Sequence, residues 1–76
     1  MKDKILTILS EIDGEISKNP EVNLLASGII DSFEIVNLVV ELEEAFDIEI
    51  DPELVVPDNF QTLDAIVEMM EGIVNQ

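Results

Sequence analysis

Apolar positions along the chain fall into helical rather than alternating spacings. From Lys2 to Ile16 they recur as Ile5, Ile8, Leu9, Ile12 and Ile16, with Glu11, Asp13 and Glu15 between them. That spacing predicts a first helix over Lys2–Ile16, weakened near its end by Gly14 and stopped by Lys18, Asn19 and Pro20. A second helix is predicted from about Ser32 to Phe46, and "DIEID" after it reads as a short extended or turn segment that tucks in Ile48 and Ile50. Asp51-Pro52 is a helix start, yet Pro57 follows so soon that only a short third helix fits. Thr62 caps a last helix in which Leu63, Ile66, Val67, Met70, Ile73 and Val74 share one face, and Met69 and Met70 are read as core and core-edge residues. Between Asn19 and Ile30 no period holds. Val22, Leu24, Leu25, Ile29 and Ile30 are nonetheless too many apolar residues for a free linker, so this stretch is expected to be a long ordered loop pinned to the core. The expectation is an all-α fold: a small four-helix bundle of three principal helices and a short third one, with a long first loop, in a single domain over 1–76.

The Ser32–Phe46 segment carries two apolar stripes, not one. At about 100° per residue, Ile35, Leu38, Val39, Leu42 and Phe46 share one arc and form the core face. Phe33, Val36 and Val40 fall in a second arc, flanked by Glu43 on one side and by Asn37 and Glu44 on the other. These three residues either pack under the loop or the short helix, or form a docking surface, since an apolar stripe ringed by charge has the anatomy of a transient protein interface.

Charge narrows the partners. The net charge is -15, from 18 acidic residues against Lys2, Lys4 and Lys18, and no cation follows Lys18. Such a field repels nucleic acid and anionic lipid and favours proteins with basic patches. No apolar run approaches membrane-spanning length, and Thr7, Ser10, Glu11 and Asp13 interrupt the N-terminal apolar positions before a signal-peptide core could form, so a cytoplasmic monomer is expected. The chain has no cysteine and no histidine, which removes disulfides and the usual transition-metal ligands. Asp47, Glu49, Asp51 and Glu53 resemble a calcium loop only superficially: counted from Asp47, position six is Pro52 and position twelve is Asp58. No metal site is assigned, and these carboxylates are expected to attract divalent ions weakly.

Ser32 has two readings. Asp31-Ser32 before a helix is a capping pair, with Asp31 at the N-cap and Glu34 as its capping-box partner. As a self-activated nucleophile Ser32 fails, because no His, Cys or Tyr is present to take its proton, and no catalytic residue is assigned. It remains a possible acceptor for a group added by another protein. A phosphodiester there would lie beside the positive dipole end of the helix.

The triplet Asp31-Ser32-Phe33, preceded by Gly28-Ile29-Ile30 and followed by "EIVNLVVELEEAFDIEI", resembles the acyl carrier and peptidyl carrier protein family over nearly the whole chain. The resemblance implies a non-enzymatic carrier with 4'-phosphopantetheine attached covalently to Ser32, and Asp31 helping to hold a cation in the modifying enzyme. Acyl or aminoacyl groups would be carried as thioesters in fatty acid, polyketide or related specialised biosynthesis. Phe33, Glu34, Val36, Asn37, Val40, Glu43 and Glu44 would be read by the phosphopantetheinyl transferase and by loading and processing enzymes with basic patches. Ile30, Phe33 and Asn37 depart from the commonest fatty-acid pattern, and "IIDSF" is similar to carriers of specialised pathways and to aminoacyl or D-alanyl carriers. An acyl chain could enter such an aliphatic core if the helices part. From another class, the rival is an unmodified acidic adaptor that binds basic partners through Phe33, Val36 and Val40.

Overall fold

A computed structural model describes residues 1–75 of the chain. Its elements in chain order are α1 (Lys2–Ile12), α2 (Glu15–Lys18), α3 (Ser32–Phe46), two single 3₁₀ turns (Pro52–Leu54 and Pro57–Asn59) and α4 (Leu63–Val74). No strand is present among the described residues. The all-α architecture expected from the spacing is the one observed.

Two boundaries differ from the sequence reading, each for a local reason. The first helix does not run through to Ile16. Asp13 is extended (φ -153°, ψ 116°), and its carboxylate accepts the Glu15 amide at 2.9 Å, so a side chain competes with the helical ladder and restarts it as α2. Ile16 still reaches the core. The expected short third helix is split into two 3₁₀ turns, each opened by a proline, with Asp51 capping the first by accepting the Glu53 amide at 2.9 Å. Pro57 cannot donate an amide and biases Val56 to the extended backbone it adopts, so no continuous helix can form across them.

The other ends follow the sequence. The Thr62 hydroxyl accepts the Ala65 amide at 3.1 Å and starts α4. Asp47 ends α3 in the left-handed region at φ 54°, the amides of Asp47 and Ile48 both returning to the Glu43 carbonyl.

The core is aliphatic around one aromatic ring. Ile5 and Leu9 of α1, Ile16 of α2, Leu24 and Ile30 of the loop, Leu38 and Leu42 of α3, and Leu63, Ile66 and Met70 of α4 are buried with Phe60, which is 0% exposed. Burying an aliphatic or phenyl side chain contributes roughly 1.5–3 kcal/mol, so this cluster carries the fold. Two cross-links tie the parts together. The Leu24 amide donates to the Gln61 carbonyl at 2.6 Å, fixing the long loop to the approach to α4. Lys4 Nζ donates to the Ala45 carbonyl at 2.7 Å and lies 5.0 Å from the centre of the Phe46 ring, supplying from α1 the cation that the C-terminal turn of α3 lacks.

Candidate functional site: the mouth of α3

The loop delivers the chain to α3 through a buried anchor. Gly28, at φ 81°, turns the backbone in a conformation costly for other residues. Ile30 is then buried in the core, and its amide donates to the Leu24 carbonyl at 3.1 Å. The next residue, Asp31, is exposed and extended, and its carboxylate accepts the Glu34 amide at 3.0 Å. Asp31 is therefore the cap. Glu34 makes no return bond to the Asp31 amide among the described residues, so the capping box is half formed.

Ser32 is left without a structural duty. It is the first helical residue, it is exposed, and its hydroxyl makes no hydrogen bond among the described residues. The amides of Ser32 and Phe33 also lack partners there, and they face the same end of the helix. The arrangement is a reachable hydroxyl beside free amide donors and a positive helix end, suited to holding an anionic group.

The second stripe of α3 is not covered by the loop or by the 3₁₀ turns. Phe33 is 83% exposed, Val36 60% and Val40 47%. On one side of it, Asn37 and Glu41 with Glu34 border a groove closed by Ile12 at the end of α1. On the other, Val36, Val39 and Val40 face Ile50, Pro52 and Val55 across an apolar groove.

The rim is not uniform, which the sequence did not reveal. Glu44 is exposed and free, and Glu34 is half-buried with its carboxylate unbonded among the described residues. Glu43 instead turns toward the segment after α3, where its Oε2 accepts the Ile50 amide at 2.8 Å. Only a bond spanning seven residues to an extended backbone distinguishes it from its neighbour, and no periodicity signals that. The Asp47–Glu53 carboxylates do not converge: Asp51 is committed to its cap, and no group of three acidic side chains able to hold a metal occurs among the described residues.

Comparison with known proteins adds two findings. A family model described as "Phosphopantetheine attachment site" matches residues 3–70. The D-alanyl carrier protein of Staphylococcus saprophyticus subsp. saprophyticus is 36% identical over 74 residues, covering 95% of both chains, and that of Staphylococcus xylosus is 35% identical over the same length with the same coverage.

Proposed function

The chain belongs to the phosphopantetheine-attachment family of carrier proteins, and from that premise we propose that it is a cytoplasmic D-alanyl or other aminoacyl carrier whose Ser32 bears the prosthetic arm. The arm, a covalent 4'-phosphopantetheine, supplies when bound the thiol that holds the cargo as a thioester. The chain's own part is to present and orient. One observation carries the reading: the Ser32 hydroxyl is exposed and idle because Asp31 has taken the capping role. A phosphodiester on that oxygen would meet the unpaired amides of Ser32 and Phe33. Asp31, exposed and one residue away, stands where it could assist a divalent cation of the modifying enzyme.

The partner face in this reading is Phe33, Val36 and Val40 with Glu34, Asn37 and Glu44, while Glu43 acts mainly as a brace. The exposed stripe suits an apolar pocket on a loading or processing enzyme, and the free carboxylates suit its basic rim. An aminoacyl cargo is favoured over a long acyl chain for two reasons. The relatives named above are D-alanyl carriers. The core also holds the fully buried Phe60 ring among its aliphatic residues, so a long chain could enter only by displacing packed side chains.

The test is direct. The unmodified protein is incubated with coenzyme A, Mg²⁺ and a broad-specificity phosphopantetheinyl transferase, then weighed intact, with Ser32→Ala as control. A mass gain of one arm, absent in the control, is expected. No gain in the wild-type chain would favour the acidic adaptor. The loaded form is then offered D-alanine, ATP and a D-alanyl-activating ligase, or a malonyl thioester and its transferase. Preferential charging from the malonyl donor would return the chain to the fatty-acid or polyketide reading.

A further inference from the structure

The two 3₁₀ turns and α4 leave an open groove of about 420 Å³ between them. Leu54, Met69 and Ile73 give it an apolar lining, and Asp58 and Glu68 contribute carboxylates. Ala65, Glu68, Met69 and Gly72 succeed one another at i, i+3, i+4 and i+7, one stripe of α4 with a small residue at each end.

Gly72 is the residue in this stripe that the fold does not explain. It lies inside α4, where only proline is less favourable than glycine. Its φ is not positive, and a Cβ built on it meets no atom within 4 Å. Neither backbone conformation nor packing within the chain requires glycine there. A missing side chain that opens onto an apolar groove suits the close approach of a backbone from outside.

We propose that this groove is a second docking site, distinct from the α3 stripe, for a cationic segment of a partner protein that seats an aliphatic side chain against Met69 and Ile73. Charge selects that occupant. A second copy would bring -15 against -15, and an anionic lipid surface would be repelled in the same way. Asn59 is committed through its side-chain amide to the Leu54 carbonyl at 2.7 Å, and Asp58 Oδ1 accepts from the Gln61 side-chain amide at 3.1 Å. That leaves Asp58 Oδ2 and the Glu68 carboxylate for Lys or Arg flanking the anchor. The site does not depend on Ser32 or on any group attached there.

The experiment uses the unmodified, isotopically labelled full chain, titrated at physiological ionic strength with a short synthetic leucine–lysine peptide of helical spacing. A leucine–glutamine peptide is the control. Saturable amide shifts are expected at Leu54, Met69, Gly72 and Ile73. Gly72→Leu, checked for retained helicity, should weaken binding about tenfold, and Glu68→Gln should weaken it less. Shifts confined to Phe33, Val36 and Val40 would overturn the proposal. So would unchanged affinity in both variants, equal binding of the uncharged peptide, or self-association in sedimentation that Gly72→Leu abolishes.

Discussion

Replacing Glu43 separates a structural carboxylate from an exposed, unbonded one on the same helix, Glu44. In Glu43→Ala the Ile50 amide loses its acceptor while the Ile50 side chain stays buried. A bond from a backbone amide to a charged acceptor contributes about 1.5–3 kcal/mol, and partial solvent access at this half-buried site lowers that to about 1–2 kcal/mol. Removing one negative charge from a chain of net charge -15 offsets a few tenths of a kcal/mol, about the size of one screened surface interaction. The net loss is about 1 kcal/mol, or roughly 4–8 °C in Tm for a domain of this size. Glu43→Gln keeps a carbonyl acceptor and should lose less than half as much. Glu44→Ala removes an exposed carboxylate with no bond and should leave Tm unchanged or slightly raised. Thermal unfolding followed by circular dichroism, with hydrogen exchange at the Ile50 amide, reads all three. If Glu43→Ala and Glu44→Ala shift Tm equally, or Ile50 exchanges no faster in Glu43→Ala, the brace is not there.

Three further outcomes follow from the same structure. Asp47→Gly should stabilise the chain by about 0.5–1 kcal/mol in chemical denaturation, because glycine adopts the left-handed φ of 54° freely and the change removes a carboxylate from the negative end of α3; a lower midpoint would mean that Asp47 makes a contact of its own. Phe33→Ala should leave the unfolding midpoint within about 0.5 kcal/mol of wild type, since the ring is 83% exposed, while slowing modification and loading in the assays above; a large stability loss would mean that the ring packs in solution. Added Mg²⁺ or moderate salt should raise Tm, because Lys2–Asp64 at 3.2 Å and Lys18–Glu15 at 3.8 Å are the only ion pairs among the described residues; a flat titration would refute self-repulsion as a destabilising force.

How much of this was legible in the sequence depends on whether a feature is local. The span of α3, the Asp31 and Thr62 caps and the separation of the two stripes all follow from neighbours within one or two turns, and the structure reproduces each of them. The pinned loop was legible too, since Leu24 and Ile30 are buried while Val22, Leu25 and Ile29 are half-buried. The break at Asp13 was not, because Ile12 and Ile16 keep the apolar period running across it and only a side-chain bond to Glu15 interrupts the ladder. Lys4 against Ala45 joins residues 41 positions apart, and Glu43 against Ile50 links a helix to an extended segment. Neither leaves a trace in any periodicity. The exposure of Ser32 lay between these cases: the motif suggested it, and the capping by Asp31 accounts for it physically.

Beyond the Asp31 cap of its first turn, the two ends of α3 are anchored to the rest of the fold by different kinds of force. Ile30, sunk among hydrocarbon neighbours, sets the Ser32 end, whereas the far end leans on an ammonium group and a carboxylate, Lys4 and Glu43. Counter-ions weaken the second kind of fastening and barely touch the first. A change in the surrounding electrolyte should therefore loosen or tighten the rear of the rod while its tip keeps a constant aim.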